Sequence, residues 1–333
     1  MFWRVLAAVF ILFANFWLPQ PKAEAYLFAN YEMEKMVGSI SYSSLLNQSH
    51  EDKHLVEVFD SVEAIMPEKH RLNQFVVRVV QDEQWNAFCV PFGIFYVTEG
   101  MMKNLNDDDL AAIIGHEIGH SQHNDWGKLF EAQMLTSVGM NYLANTHRVS
   151  NEAATIGGSI INIALSRGYG FAAEYDADKY SFLCLSTEKS KYNPAGQAIA
   201  LVHLENYVNS RGGEAGGVAN FINPHPPLPN RVQYQIKLLE NWAKNKVKID
   251  AATGVISTAR GVELFKAFDK ESGYKAMGWI AKSINYPGKI ESGVDSEGRI
   301  WLGGEPLGDA NDQADIDFLR AKLKEFGFKI IEG

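Results

Sequence analysis

The stretch from Gly115 to His120 reads Gly-His-Glu-Ile-Gly-His, and it dictates what must surround it. Residues four apart on an α-helix stack on one face, so His116 and His120 offer two imidazoles to a single ion, with Glu117 beside them as a base. The spacing is useful only on a helix. Leu110, Ile113, Ile114 and Ile118 recur at helical intervals, while Asn106 and the run Asp107 to Asp109 supply an N-cap and first-turn acids. The donor set is that of a zinc site with a built-in base.

Two imidazoles leave such a site incomplete, because a reactive zinc usually takes three protein ligands and keeps one position open. His123 lies seven residues beyond His116, roughly 10 Å along the helix axis, too far for both to reach one ion. The downstream candidates are acids in Glu174-Tyr175-Asp176-Ala177-Asp178, inside a helix predicted over Tyr169 to Ser186. Glu174 and Asp178 share a face. One can bind the metal while the other accepts an imidazole N–H, and spacing alone leaves the assignment open.

At the start, Arg4 precedes an apolar run from Val5 to Leu18 interrupted by Asn15, and Ala23-Glu24-Ala25 has the small-x-small form of a cleavage site. The expectation is a signal peptide, residues 1–25, cut before Tyr26. No later segment is long and apolar enough to span a bilayer, so the mature chain is expected to be soluble, exported and most simply periplasmic. The chain is net −9, and −10 once Arg4, Lys22 and Glu24 of the leader are set aside. That balance argues against nucleic-acid binding. Cys89 and Cys184 are the two cysteines, too few for a disulfide framework.

Along the mature chain, helices are predicted over Glu51 to Met66, Lys128 to Tyr142, Asn151 to Ser166, Asn193 to Ser210 and Pro229 to Lys246. Gln74 to Gln81 and Asn86 to Thr98 read as strands, and an exposed edge at the second would pair with an extended peptide. Arg211 to Gly217 is a Gly-rich loop leading toward His225. After Val247 short strands (Val247 to Ile256, Tyr274 to Ile280, Arg299 to Leu302, Phe328 to Ile331) alternate with helical patterns (Gly261 to Lys270, Asp315 to Phe326). These suggest a small α+β C-terminal module of the βαββαβ kind, over residues 247–333, following a peptidase-sized domain over 26–246.

Four elements fall in a telling order: Asn86-Ala87-Phe88, the His-Glu-x-x-His of His116 to His120, the Glu-x-x-Ala-Asp of Glu174 to Asp178, and a His-Pro at His225 followed by Arg231. Together they resemble metallopeptidase family forty-eight, the gluzincins that include HtpX-like and CAAX-prenyl-protease-like enzymes, over roughly Val58 to Leu239. Ser166 and Arg167 also resemble that pattern. The membrane spans of those enzymes are missing, which places the resemblance in a soluble exported branch of periplasmic assembly and quality-control proteases.

The resemblance implies a mostly helical α+β fold, zincin-like (a minigluzincin) with a small sheet beside the active-site helix. It implies one Zn2+ per chain on His116, His120 and Glu174, with Glu117 as general base and His225 as a transition-state stabiliser. Asp178 would support a histidine ligand, Arg231 would help to hold the His225 loop, and Asn86, Ala87 and Phe88 would bind substrate backbone. The expected activity is endopeptidase hydrolysis of unfolded or assembling envelope proteins, with a partner-docking role open to the C-terminal module. Departures from the family pattern are Cys89 where Ala is common, Phe92-Gly93 where a Gly pair is common, and Asn223 ahead of Pro224. The competing expectation is a latent or inactive, zinc-stabilised, chaperone-like binding protein, with His225 as a fourth ligand. Retention of Glu117 speaks against lost catalysis, since a structural zinc site needs no base.

Overall fold

A computed structural model describes residues 29–143, 169–211, 226–310 and 313–331, with side chains from 135 to 143 outside the description. The expected leader, the helix Asn151 to Ser166, Arg167, the 212–217 part of the Gly-rich loop, and Asn223 to His225 lie outside the described residues. Helices make up about half of the described chain in a mixed α+β fold.

The first helix among the described residues, α1 (Tyr31–Leu45), starts at Asn30, whose side chain accepts the N–H of Met33. Sequence reasoning passed over it because its Ser-rich sequence carries little apolar period. β1 (Ser49–His50) leads to α2 (Lys53–Glu63), capped by Asp52 and burying Leu55, Val58, Phe59 and Val62 on one face. β2 (Val76–Val80), β3 (Ala87–Val90) and β4 (Ile94–Thr98) complete a sheet of order β1-β2-β4-β3. The single strand expected over Asn86 to Thr98 is therefore a hairpin. It turns at Pro91 to Gly93, where Phe92 and Gly93 take φ of 72° and 73°. A proline ahead of a glycine was the overlooked punctuation. The turn puts β3 on the sheet edge, beside the metal-motif helix.

That helix is α4 (Asp107–Gln122), reached through the short α3 (Glu99–Asn104) and followed by α5 (Asp125–Leu143). Asn106 caps α4 by accepting the N–H of Asp109, and Asp107 to Asp109 occupy its positive end. α6 (Phe171–Leu185) and α7 (Gly196–Ser210) pack against it, and α8 (Leu228–Trp242) packs on those two. α4 and α6 approach closely because two α4 glycines face α6. A Cβ on Gly119 would stand 3.0 Å from Ala177 Cα, and one on Gly115 3.2 Å from Ser181 Cα. The approach brings Glu174 of α6 level with the two histidines.

The C-terminal stretch corrects the βαββαβ expectation. β5 (Val247–Asp250), β6 (Val255–Thr258), β7 (Glu263–Ala267), β8 (Glu291–Val294), β9 (Arg299–Leu302), β10 (Glu305–Asp309) and β11 (Lys329–Ile330) form a seven-stranded sheet, ordered β11-β8-β9-β10-β7-β6-β5. It is antiparallel except where β11 runs parallel to β8. Gly261 to Lys270, expected as a helix, holds β7, and Tyr274 to Ile280, expected as a strand, lies inside α9 (Lys270–Asn285). The decisive signal was the cap: Asp269 accepts the N–H of Ser272 at 2.7 Å, ahead of Tyr274, Met277, Ala281 and Ile284 at helical spacing. α10 (Gln313–Glu325) falls where a helix was expected. One continuous apolar core runs from Ile199 of α7 and Leu239 of α8 through Met277 and Ile280 of α9 to Ile300 and Phe328. A second core joins α2, the N-terminal sheet and α4 through Phe59, Phe95, Leu110 and Ile118.

Candidate metal centre

His116 and His120 are buried on α4, with their Nε2 atoms 3.1 Å apart. Glu174, fully buried on α6, brings Oε2 to 3.6 Å from His116 Nε2 and Oε1 to 3.5 Å from His120 Nε2. One donor atom from each of the three lies within 4.8 Å of the others, and among the described residues this is the one group of three or more His, Cys, Asp or Glu so placed. Ligands about 2.0–2.1 Å from a tetrahedral ion sit roughly 3.3–3.5 Å apart, so the spacing fits a single small cation.

The outer ring nitrogens explain why Nε2 is the presented atom on both histidines. His116 Nδ1 lies 3.0 Å from Asp178 Oδ1, and His120 Nδ1 lies 2.8 Å from Asp125 Oδ2. A carboxylate at each Nδ1 fixes the N–H there and leaves an Nε2 lone pair facing the centre. Two such lone pairs 3.1 Å apart repel unless a positive charge lies between them. Burial pushes the His116 pKa down, but its bonds to Asp178 and Glu174 outweigh that and raise it to about 9. The surrounding acids favour positive charge at the centre, carried by a proton or by an ion.

Arg231, on α8, is the counterweight to the clustered acids. It donates through Nε and Nη2 to Asp178 at 2.8 and 2.6 Å, and its Nη1 is 3.3 Å from Glu174 Oε2. Burial pushes the Asp178 carboxyl up, yet the Arg231 guanidinium overcomes this and holds it at about 2. Gln235, one turn along α8, donates to the Asp178 carbonyl at 3.0 Å, and Gln197 of α7 donates to Asp178 Oδ1 at 2.8 Å. Asp178 is thus a four-way junction. Arg231, expected to hold the His225 loop, is clamped on these carboxylates; His225 itself lies outside the described residues.

Glu117 follows His116 and accepts the backbone N–H of Cys89 at 2.9 Å. Asn86 and Thr98 are joined by a backbone hydrogen bond, so alternation turns the polar groups of Phe88 and Val90 toward β4 and those of Ala87 and Cys89 outward. The outward side faces Glu117. Both cysteines are free and buried, and burial pushes the Cys89 thiol well up. His123 turns away from the centre and packs edge-on against Tyr180 at 5.7 Å.

Two residues of this centre were not found in the sequence. Asp125 opens α5, five residues past His120, where a helix-start acid usually serves the dipole. Tyr169 lays its ring 4.7 Å from that of His120, and its one signal was its place just ahead of the Glu174 helix.

A buried pair of imidazoles and a buried carboxylate, with an adjacent glutamate bonded to the edge strand β3, form a donor set suited to a metal-dependent hydrolase. Residues 49–237 match the profile of peptidase family M48, and the chain belongs to that family. It is 26% identical over 258 residues to a protease HtpX homolog of Methanocaldococcus jannaschii, an alignment covering 65% of this chain and 85% of the relative. It is 26% identical over 168 residues to the metalloprotease LoiP of Escherichia coli and 23% over 159 to the metalloprotease YcaL of the same organism. Each of these two alignments covers 47% of this chain, and 60% and 59% of the relative. The chain is a metalloendopeptidase by this kinship. No helix among the described residues is long and apolar enough to cross a membrane.

Proposed function

We propose that the protein is an exported zinc endopeptidase that hydrolyses unfolded or assembling envelope proteins, with His116, His120 and Glu174 holding the zinc and Glu117 as general base. The observation that carries this reading is the convergence of two Nε2 atoms and a carboxylate within 4.8 Å, one residue from Glu117. Zinc bound there supplies a Lewis acid that acidifies water and polarises a scissile carbonyl.

The chain's own residues do the rest. Asp178 and Asp125 hold each imidazole in the tautomer that presents Nε2. Glu117 takes a proton from the attacking water and passes it to the leaving amine. The outward groups of Ala87 and the Cys89 carbonyl bond the backbone of an extended substrate, with Asn86 and Phe88 holding β3 to its neighbour. His225 donates to the oxyanion, an interaction typically worth about 3 kcal/mol. Backbone recognition reads no side chain, which suits substrates that are unfolded rather than of one sequence.

Casein hydrolysis by the purified mature protein, with metal quantified, tests the reading beside Glu117→Gln. The expected result is activity in the wild type and none in the variant, with about one zinc retained by each. A wild type that holds zinc yet cleaves nothing would instead support the latent, chaperone-like binding protein. For compartment, the supporting observation is the apolar leader-like run, and N-terminal sequencing of the mature protein should begin at Tyr26.

A further inference from the structure

Two residues outside the metal centre connect its two walls. Arg71, in the segment between α2 and β2, donates through Nε to the carbonyl of Ser121, the residue after His120. Its Nη1 and Nη2 donate to Glu34 of α1 at 2.9 and 2.5 Å. Glu34, only 4% exposed, also accepts the backbone N–H of Phe92 at 3.1 Å. Phe92 sits at φ 72° in the turn that joins β3 to β4. The path therefore runs from the metal helix to the substrate-facing hairpin through one guanidinium and one carboxylate.

We propose that Arg71 and Glu34 are positioning residues for the peptidase site, fixing the separation between the His120 end of α4 and the edge strand β3. This rests on the reading of His116, His120 and Glu174 as the metal ligands. Each end of the path has a local reason to need holding. Ser121 lies in the last turn of α4, where carbonyls point out of the helix and the helix end is negative, so a guanidinium is well placed there. A side-chain-bearing residue at positive φ persists only when its surroundings determine it, and the Glu34 bond supplies that constraint on Phe92. Arg71 also donates its backbone N–H to Gln122 Oε1 at 2.8 Å, so the segment is pinned to the helix end at two points. Glu34 is one carboxylate answering three donors, two on Arg71 and one on the hairpin.

The geometry separates positioning from simple ion pairing. Arg71→Lys keeps a positive charge for Glu34 but lacks the planar fork that reaches Ser121 at the same time. Reversing the pair with Glu34→Arg and Arg71→Glu keeps the attraction but loses both backbone bonds, since a carboxylate cannot donate to Ser121 and a guanidinium cannot accept from Phe92. Neither residue is hydrogen-bonded to a donor atom of His116, His120 or Glu174.

The experiment measures KM and kcat on a quenched fluorescent peptide, zinc retention against a chelator, and Tm, for wild type, Glu117→Gln, Arg71→Lys and the reversed pair. Arg71→Lys should fold with a small fall in Tm, raise KM about tenfold and release zinc about tenfold more readily. The reversed pair should remain impaired in KM and zinc retention even where its Tm recovers. Wild-type KM and zinc retention in Arg71→Lys, or recovery of both in the reversed pair, would overturn the positioning role and leave an ordinary ion pair. Should the reversed pair not fold, Arg71→Lys decides alone. Equal activity in wild type and Glu117→Gln would instead remove the assignment of the site, and the positioning role with it.

Discussion

Glu117 Oε2 accepts the backbone N–H of Cys89 at 2.9 Å, so the glutamate of the metal helix is tied to the edge strand that faces it. The bond restrains the glutamate's rotamer and docks β3 on α4. An amide at position 117 keeps an acceptor for this N–H, whereas a methyl does not.

Glu117→Ala should therefore be less stable than Glu117→Gln by about 1 kcal/mol, the usual cost of leaving a part-buried donor unmade. Both should lose hydrolysis. Urea denaturation of the two variants checks the difference, and equal midpoints would mean that strand and helix are held by packing alone.

Asp125 meets His120 Nδ1 at 2.8 Å and is itself only 4% exposed. Asp125→Asn removes the charge that favours the Nδ1–H tautomer while preserving shape. Metal affinity should fall about 10- to 100-fold, read by competition with a chromogenic chelator. An unchanged affinity would assign Asp125 to the Lys128 pair alone, 3.2 Å away.

Gly119→Ala sets two effects against each other. Alanine favours the helix by about 1 kcal/mol, but its Cβ would stand 3.0 Å from both Ala177 Cα and Tyr180 Cβ, where α6 has no flexible end to give. Overpacking of that sort costs about 1–3 kcal/mol. The expected outcome is lower Tm together with weaker metal binding, because α4 and α6 carry different ligands. A rise in Tm would show that the helices can separate freely.

His203 bridges α4 and α9, with Nδ1 2.9 Å from Asp109 Oδ2 and Nε2 3.0 Å from Glu271 Oε2. The Asp109 bond first, then that to Glu271, raises its pKa from 6.5 to about 10. The folded chain keeps this proton after the unfolded chain has lost it, so the stabilisation is whole below about pH 6.5 and drains as pH climbs through about 10, by up to about 1.4 kcal/mol per unit. Glu271 is held at about 2, chiefly by His203, so its own contribution is lost only in acid. The Tm gap between wild type and His203→Gln should narrow from pH 6 to pH 10. Taking the difference cancels Lys282, which burial lowers to about 8 and which acts with the opposite sign. A gap that stays constant would show that His203 is held neutral.

The metal centre was legible because its chemistry is local. His116 and His120 lie about one helical turn apart, as do Glu174 and Asp178, so spacing brought out both pairs, while the choice of Glu174 over Asp178 came from the family resemblance. Asp125 escaped notice because its role depends on how α5 leaves α4, which no period encodes. The hairpin at Pro91 to Gly93 was hidden by strand-forming residues on both sides. In the C-terminal stretch, Tyr274 to Ile280 reads as a strand in isolation, and the cap at Asp269 that decides for helix lies outside the apolar run. Glu34 and Arg71 are 37 residues apart and join elements whose contact no pattern within either one announces.

The apolar core that runs from the catalytic-side helices into the seven-stranded sheet has a kinetic meaning. Phe182 of α6 and Phe328, 146 positions later, belong to the same cluster. Contacts of such sequence separation require a large loop to close before they reward the chain, and they slow folding. A chain folded only as far as Trp242 would hold all of α4, α6 and α8 while a flank of apolar surface stayed open to water. The helical half therefore stays incomplete until the β5 to β11 sheet docks, and that flank is where an unfinished chain is most open to aggregation.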